Sequence, residues 1–326
     1  MGVTNSNATP RQDLGLAVME YADRQNNYVA SDVLPWFDTD AEKFDFPRVD
    51  REHLLAMADT QRGDTGPYSR STMKVDWLDE STEEHGHEVP ISDKVDSRLS
   101  RHFNYQLLET NRCMGVLQRR LEQDVADLLF NTTTFPAAQS TTVDAGAGES
   151  WDHQDGTPIE DARTAREAIW EQTGMVANSC VISQGVFNVL QGNTSIRDWV
   201  IGQNNGVGEA DIPRQTIARA LGVENLHIGR ARKRTSNKGI TFESDSIWSD
   251  TYALFFVQAP AVPGFITDDW EVGLGRIALW TEDSPTPWLV EQYREEKNRG
   301  DILRVRHNRK PFIMNGLAGH LLINVT

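Results

Sequence analysis

The 326 residues carry 32 Lys and Arg against 48 Asp and Glu, a formal net charge of −16. A field of that sign repels polyphosphate and excludes a whole-surface nucleic-acid binder, while 38% hydrophobic and 25% charged residues exclude collagen-like and wholly disordered chains. The length allows one large domain or two connected subdomains, two cysteines (Cys113 and Cys180) read as buried free thiols, and no run of about 18 apolar residues marks a membrane span.

Residues 1–51 read as an amino-terminal arm and lead-in. Weak apolar spacing at Leu14, Leu16, Val18 and Tyr21 predicts one short helix, and Val33–Val49, rich in Asp, Phe and Pro, predicts extended chain that docks its aromatics on a neighbour. In the next segment, 52–93, Arg62–Arg70 is glycine-rich and charged. Met73, Val75 and Trp77 then alternate with Thr72, Lys74 and Asp76, the pattern of a strand. A return strand through His87, Val89 and Ile91 would make a long hairpin. It has too few apolar residues for its own core, so it is expected to lean on something else.

From Asp96 to Asn131 apolar residues recur three or four apart, which predicts one continuous amphipathic helix roughly 50 Å long. Pro136–Pro158 is a polar connector. Ile159–Thr173 is helical again and closed by Gly174, a residue suited to the left-handed cap position. A mixed α/β segment follows: strand Ser179–Ile182, helices around Val186–Leu190, Ile196–Ile201 and Ile212–Leu221, and strand Leu226–Ile228. After Thr251 strands are predicted at Tyr252–Val257, Ile277–Trp280, Leu289–Tyr293, Ile302–Val305 and Leu321–Val325, expected to rejoin the first subdomain.

The densest titratable cluster is Glu83, Glu84, His85, His87 and Glu88, the residue types of a divalent-metal site. No further His or Cys lies nearby, so an exposed hairpin tip is the preferred reading. Asp38, Asp40 and Glu42 have the outline of a calcium loop, but Lys43 stands where the turn needs glycine. Gly202, Gly206 and Gly208 lack the Lys and Ser/Thr of a phosphate loop, and no nucleophile elbow occurs. No catalytic, cofactor-binding or metal residue is therefore assigned, and no cofactor is expected. The basic run Arg230, Arg232, Lys233, Arg234 and Lys238 reads as a solvated or inter-subunit loop.

Several segments, in order, resemble one family over nearly the whole chain. They are the acidic strand Glu84–Asp93, the helix end Leu121–Leu129, Trp151-Asp152, Pro158-Ile159-Glu160-Asp161, Thr173-Gly174, Asn178, Val181-Ile182, Leu221-Gly222-Val223, Ile313-Met314-Asn315 and Ala318–Ile323. This succession resembles the tailed-phage major capsid proteins of the Hong Kong 97 type, in the lambda-like coat branch. The resemblance implies an α+β fold with an arm (1–51), an extended loop (52–93), a peripheral domain (94–158 with 261–326) built on a spine helix, and an axial domain (159–260).

It implies no enzyme. It implies self-assembly into pentamers and hexamers of an icosahedral shell around double-stranded DNA, bound without sequence specificity, with a separate scaffold protein, a portal and an optional decoration protein as partners. The place implied is the virion, assembled in the bacterial cytoplasm, with no membrane partner. Extended-loop contacts between subunits would come from Arg62, Arg70, Lys74, Trp77 and Glu83, and Asn204, Asn205 and Gly206 would form an axial loop. The rival readings are an encapsulin-type nanocompartment shell and a metal-dependent hydrolase.

Overall fold

A computed structural model of the chain describes residues 9–11, 14, 27–49, 75–102, 104–143, 149–203, 212–237, 239–259 and 273–326, with scattered positions between 57 and 72. In chain order, β1 (Thr9–Pro10), α1 (Ala30–Val33), β2 (Trp36–Thr39), β3 (Lys43–Val49), β4 (Val75–Ser81) and β5 (Glu83–Ser92) lead into helices α2 (Asp93–Leu99) and α3 (Tyr105–Leu129). Strand β6 (Ser140–Thr142) and helix α4 (Pro158–Thr173) precede β7 (Ser179–Ser183) and helices α5 (Gln184–Gly192), α6 (Thr194–Gln203) and α7 (Arg214–Leu221). Strands β8 (Asn225–Gly229), β9 (Arg232–Arg234), β10 (Ser244–Ser246), β11 (Tyr252–Phe256), β12 (Gly275–Trp280), β13 (Leu289–Glu295), β14 (Gly300–Ile313) and β15 (Gly319–Ile323) follow.

The single long helix expected from periodicity is two helices. Asn104, in an extended conformation, accepts a hydrogen bond from the Leu107 N–H at 3.1 Å and so starts α3 afresh. The 25 residues of α3 span about 37 Å, and Cys113, Met114, Leu117, Leu121, Val125 and Leu129 form its buried stripe. At the next helix Pro158 occupies the first turn, where its missing N–H costs nothing, and Gly174 closes it at φ 73°.

Two sheets organise the chain. The five-stranded sheet runs β6-β15-β11-β7-β8. Its central strands β15, β11 and β7 are buried without alternation because both faces are covered. Leu322, Phe255 and Ile182 face a core with Trp151, Ile169, Phe187 and Leu190, whereas Leu321, Leu254 and Val181 face Leu121, Val125 and Leu129 of α3. Strands β11 and β15 therefore belong to this sheet, and of the late strands only β12, β13 and β14 return to the sheet under α3.

That other, six-stranded sheet runs β1-β13-β14-β12-β2, with β5 also on β14. Strand β14 organises it, its first half lying between β13 and β5 and its second half beside β12.

The long hairpin expected between β4 and β5 does not form. Strand β5 is antiparallel to β14 from Ser92↔Gly300 to Glu83↔Arg309, and Val89 and Ile91 pack on Cys113, Met114 and Leu117. Strand β4 pairs instead with β3, from Lys43↔Ser81 to Val49↔Val75. The cause is the distribution of apolar side chains: Val89 and Ile91 match the stripe of α3, while Leu78 of β4 packs with Phe44 and Phe46.

Candidate functional site

The β3–β4 ribbon has two unlike faces, because side chains alternate along each strand. Inward, the Phe44 and Phe46 rings lie 5.4 and 5.6 Å from Phe312 of β14, and Phe37 of β2 lies 5.8 Å from Phe46. Ala259, Ala278 and Met314 complete this aromatic anchor. Outward, Asp45 stands directly opposite Asp79, and Pro47 opposite Trp77, whose side chain is 64% exposed. Like charges in direct register destabilise a ribbon. The ribbon is thus fixed to the body by one face and leaves an indole and two carboxylates on the other.

Of the residues expected at subunit contacts, Trp77 and Arg70 are exposed, whereas Glu83 lies on β5 and its carboxylate binds Lys310 of the same chain at 3.1 Å. That partner holds the Glu83 carboxyl below the usual range. Arg62, Lys74, Asn204, Asn205 and Gly206 lie outside the described residues. Period-two reading of Lys43-Phe44-Asp45-Phe46 would have found the anchor; the Asp and Pro content of that segment masked it.

The 83–88 cluster is engaged within the chain. Glu88 accepts from Tyr293 and lies 3.5 Å from Arg304, and His85 stands edge-on to His307 at 6.0 Å. Among the described residues no group of three His, Cys, Asp or Glu is placed to hold a metal. The nearby 330 Å³ cleft is lined by Glu83, His85, Arg120, Asp124, Arg309 and Lys310, and ion pairs join its acids to its bases.

Within the largely apolar seam between α3 and the sheets lie a few buried polar groups. The buried carboxylate of Glu122 accepts from the Val29 and Ala30 N–H groups at 3.1 and 2.9 Å and from Trp248 Nε1 at 2.5 Å. Burial pushes its carboxyl up to about 7, against the lowering effect of those donors. Trp248 in turn rests on Gly229, where an added Cβ would collide with the indole. On β14, Arg309 Nε donates to His307 Nε2 at 2.9 Å and Arg309 Nη2 to Asp124 at 2.8 Å. An arginine can only donate, so His307 Nε2 accepts and Nδ1 carries the proton, which it gives to Pro287 O at 3.0 Å. Burial, then the neighbouring guanidinium, keep this ring neutral well below the usual histidine range.

The basic run forms a second small ribbon. Strand β9 pairs antiparallel with β10, and Arg232, Lys233 and Arg234 are all exposed.

Residues 112–268 match the family model described as phage major capsid protein E. A phage-related protein of Bordetella bronchiseptica RB50 shares the fold, with a TM-score of 0.71 and 16% identity over 97% of this chain and 98% of that one. The capsid of cyanophage P-SCSP1u does so at a TM-score of 0.57 and 11% identity, covering 91% of this chain and 88% of that one. A virus-like particle from Pyrococcus furiosus gives a TM-score of 0.56 and 9% identity over 95% and 98% of the two chains. No curated protein matches the sequence. Residues 112–268 are thus similar to the phage major capsid protein E family, and the chain as a whole has the α+β fold of these phage capsid-type structures.

Proposed function

We propose that the chain is the major head protein of a tailed phage, and that copies of it associate into pentamers and hexamers closing an icosahedral shell around double-stranded DNA. The observation that carries this reading is the two-faced β3–β4 ribbon. A ribbon anchored by Phe44 and Phe46 but carrying Trp77, Asp45 and Asp79 on an uncovered face is completed by packing on a sister subunit. In this reading the ribbon and residues 50–74 form the extended loop, with Arg62, Arg70, Lys74 and Trp77 at subunit contacts. The six-stranded sheet with α3 is the peripheral domain. The five-stranded sheet is the axial domain, its loop Asn204-Asn205-Gly206 gathering at symmetry axes.

The net charge of −16 suits a container wall along which DNA slides without sticking. A separate scaffold protein and a portal are the expected partners, and assembly takes place in the bacterial cytoplasm. The match to a phage capsid family favours a genome container over a nanocompartment for enzymes.

Electron microscopy of the purified protein, expressed alone and with a scaffold protein, tests the proposal. Closed shells of uniform diameter are expected. Monodisperse monomers under every condition would overturn it.

A further inference from the structure

We infer that the outward face of the β3–β4 ribbon docks on the β9–β10 ribbon of a second copy of this chain, Asp45 and Asp79 meeting Arg232 and Arg234 while Trp77 packs against Phe242. This rests on the shell reading and names the surface that receives the arm.

The receiving ribbon is built for an acidic, aromatic partner. Lys233 turns toward α3 and donates to Gln123 at 2.8 Å, so strand alternation places Arg232 and Arg234 on the opposite face. Their cross-strand neighbours are Ser246 and Ser244, which carry no charge. Arg232 is oriented by the carbonyl of Ser244, and Arg234 by that of Asn237 at 2.8 Å. Among the described residues neither guanidinium has a carboxylate within ion-pair distance. In the connection between β9 and β10, Phe242 and Ile240 are 71% and 65% exposed, and exposed large apolar side chains mark a contact surface.

The outward face of the arm is the complement: two opposed carboxylates, one flanking ammonium (Lys43) and an exposed indole. Among the described residues no ion pair joins the two ribbons within one chain. Copies of a molecule with a net charge of −16 repel one another at long range, so a concentrated basic ribbon supplies attraction and register where association needs them. The contact joins two different patches, a head-to-tail geometry that closes rings.

Charge reversal tests the pairing. Asp45→Lys with Asp79→Lys, and separately Arg232→Glu with Arg234→Glu, are each expected to lower shell yield by at least ~10-fold at about 0.1 M salt, with thermal melting of the subunit unchanged. The fourfold combination, which restores opposite charges, is expected to recover shells. Independently, mixed Trp77→Cys and Phe242→Cys chains, treated with the thiol oxidant diamide, are expected to form disulfide-linked dimers inside shells. Shells at wild-type yield from Arg232→Glu/Arg234→Glu, no recovery in the combination, or no linked dimers would overturn this pairing while leaving the shell reading intact. A wild-type chain that never forms shells would overturn both.

Discussion

The seam along β14 and the β3–β4 ribbon are both charged, but they dispose of their charge differently. In the seam Arg306 is matched by Glu291 and Asp283, Arg304 by Glu291, and Arg309 by Asp124, all within one chain. On the ribbon Asp45 confronts Asp79 and Trp77 faces water. Groups buried in a low-dielectric interior must find partners when the chain folds, or the fold is lost. Groups on an exposed face can wait for a neighbour. On the proposed function, folding and assembly fall to different residues, and variants should separate them.

The sharpest separation comes from removing residues 51–73 and joining β3 to β4 by a short Gly-Ser turn. Shells should vanish altogether while the subunit melts as before, measured by microscopy and circular dichroism. A longer deletion, 62–86, is unsuitable, because it removes β4 and the start of β5, whose backbone pairs with Arg306–Arg309 of β14.

Next in size is Glu122→Ala, which strands three buried donors and should destabilise the subunit by about 3–5 kcal/mol in urea unfolding. Acid comes third. Burial pushes His227 and His320 down to about 4 from an ordinary 6.5, so the unfolded chain takes up protons that the folded chain refuses. Stability should fall as pH drops from about 6.5 to about 4, by roughly 2–3 kcal/mol for each ring. Glu122 works in the opposite sense: raised to about 7, it contributes stability that fades as pH rises from 4.5, so Glu122→Gln should deepen the acid loss. The smallest effect on folding belongs to Trp77→Ser, expected within about 0.5 kcal/mol of wild type, yet this substitution should still depress shell yield.

Much of this was legible from residue order. Strands at Ser179–Ile182 and Tyr252–Val257 announced themselves as short apolar runs, and Pro158 and Gly174 bracketed α4. Three features were not. The sequence Arg304–Arg309 has the composition of a solvated loop, so an apolar pattern ends β14 at Val305, whereas its arginines are ion-paired, Arg306 and Arg309 are buried, and the strand continues to Ile313. The break at Asn104 is a single cap inside an otherwise helical period. The pairing of β4 with β3 depends on which partner's apolar residues fit which surface, a long-range choice that local alternation does not encode. The outward face of the ribbon was only half visible: Trp77 stood out as an aromatic in a polar stretch, but the opposition of Asp45 and Asp79 exists only once the register is known.

The strand order of the sheets also constrains the timing of synthesis. Strand β15 sits between β6 and β11, and β14 lies against β5, so segments near 90 and 140 wait for partners near 305 and 321. A ribosome must deliver residue 323 before the five-stranded sheet can close. Until then the early strands β5 and β6 have no partners, so the two sheets form late, from contacts far apart in the sequence.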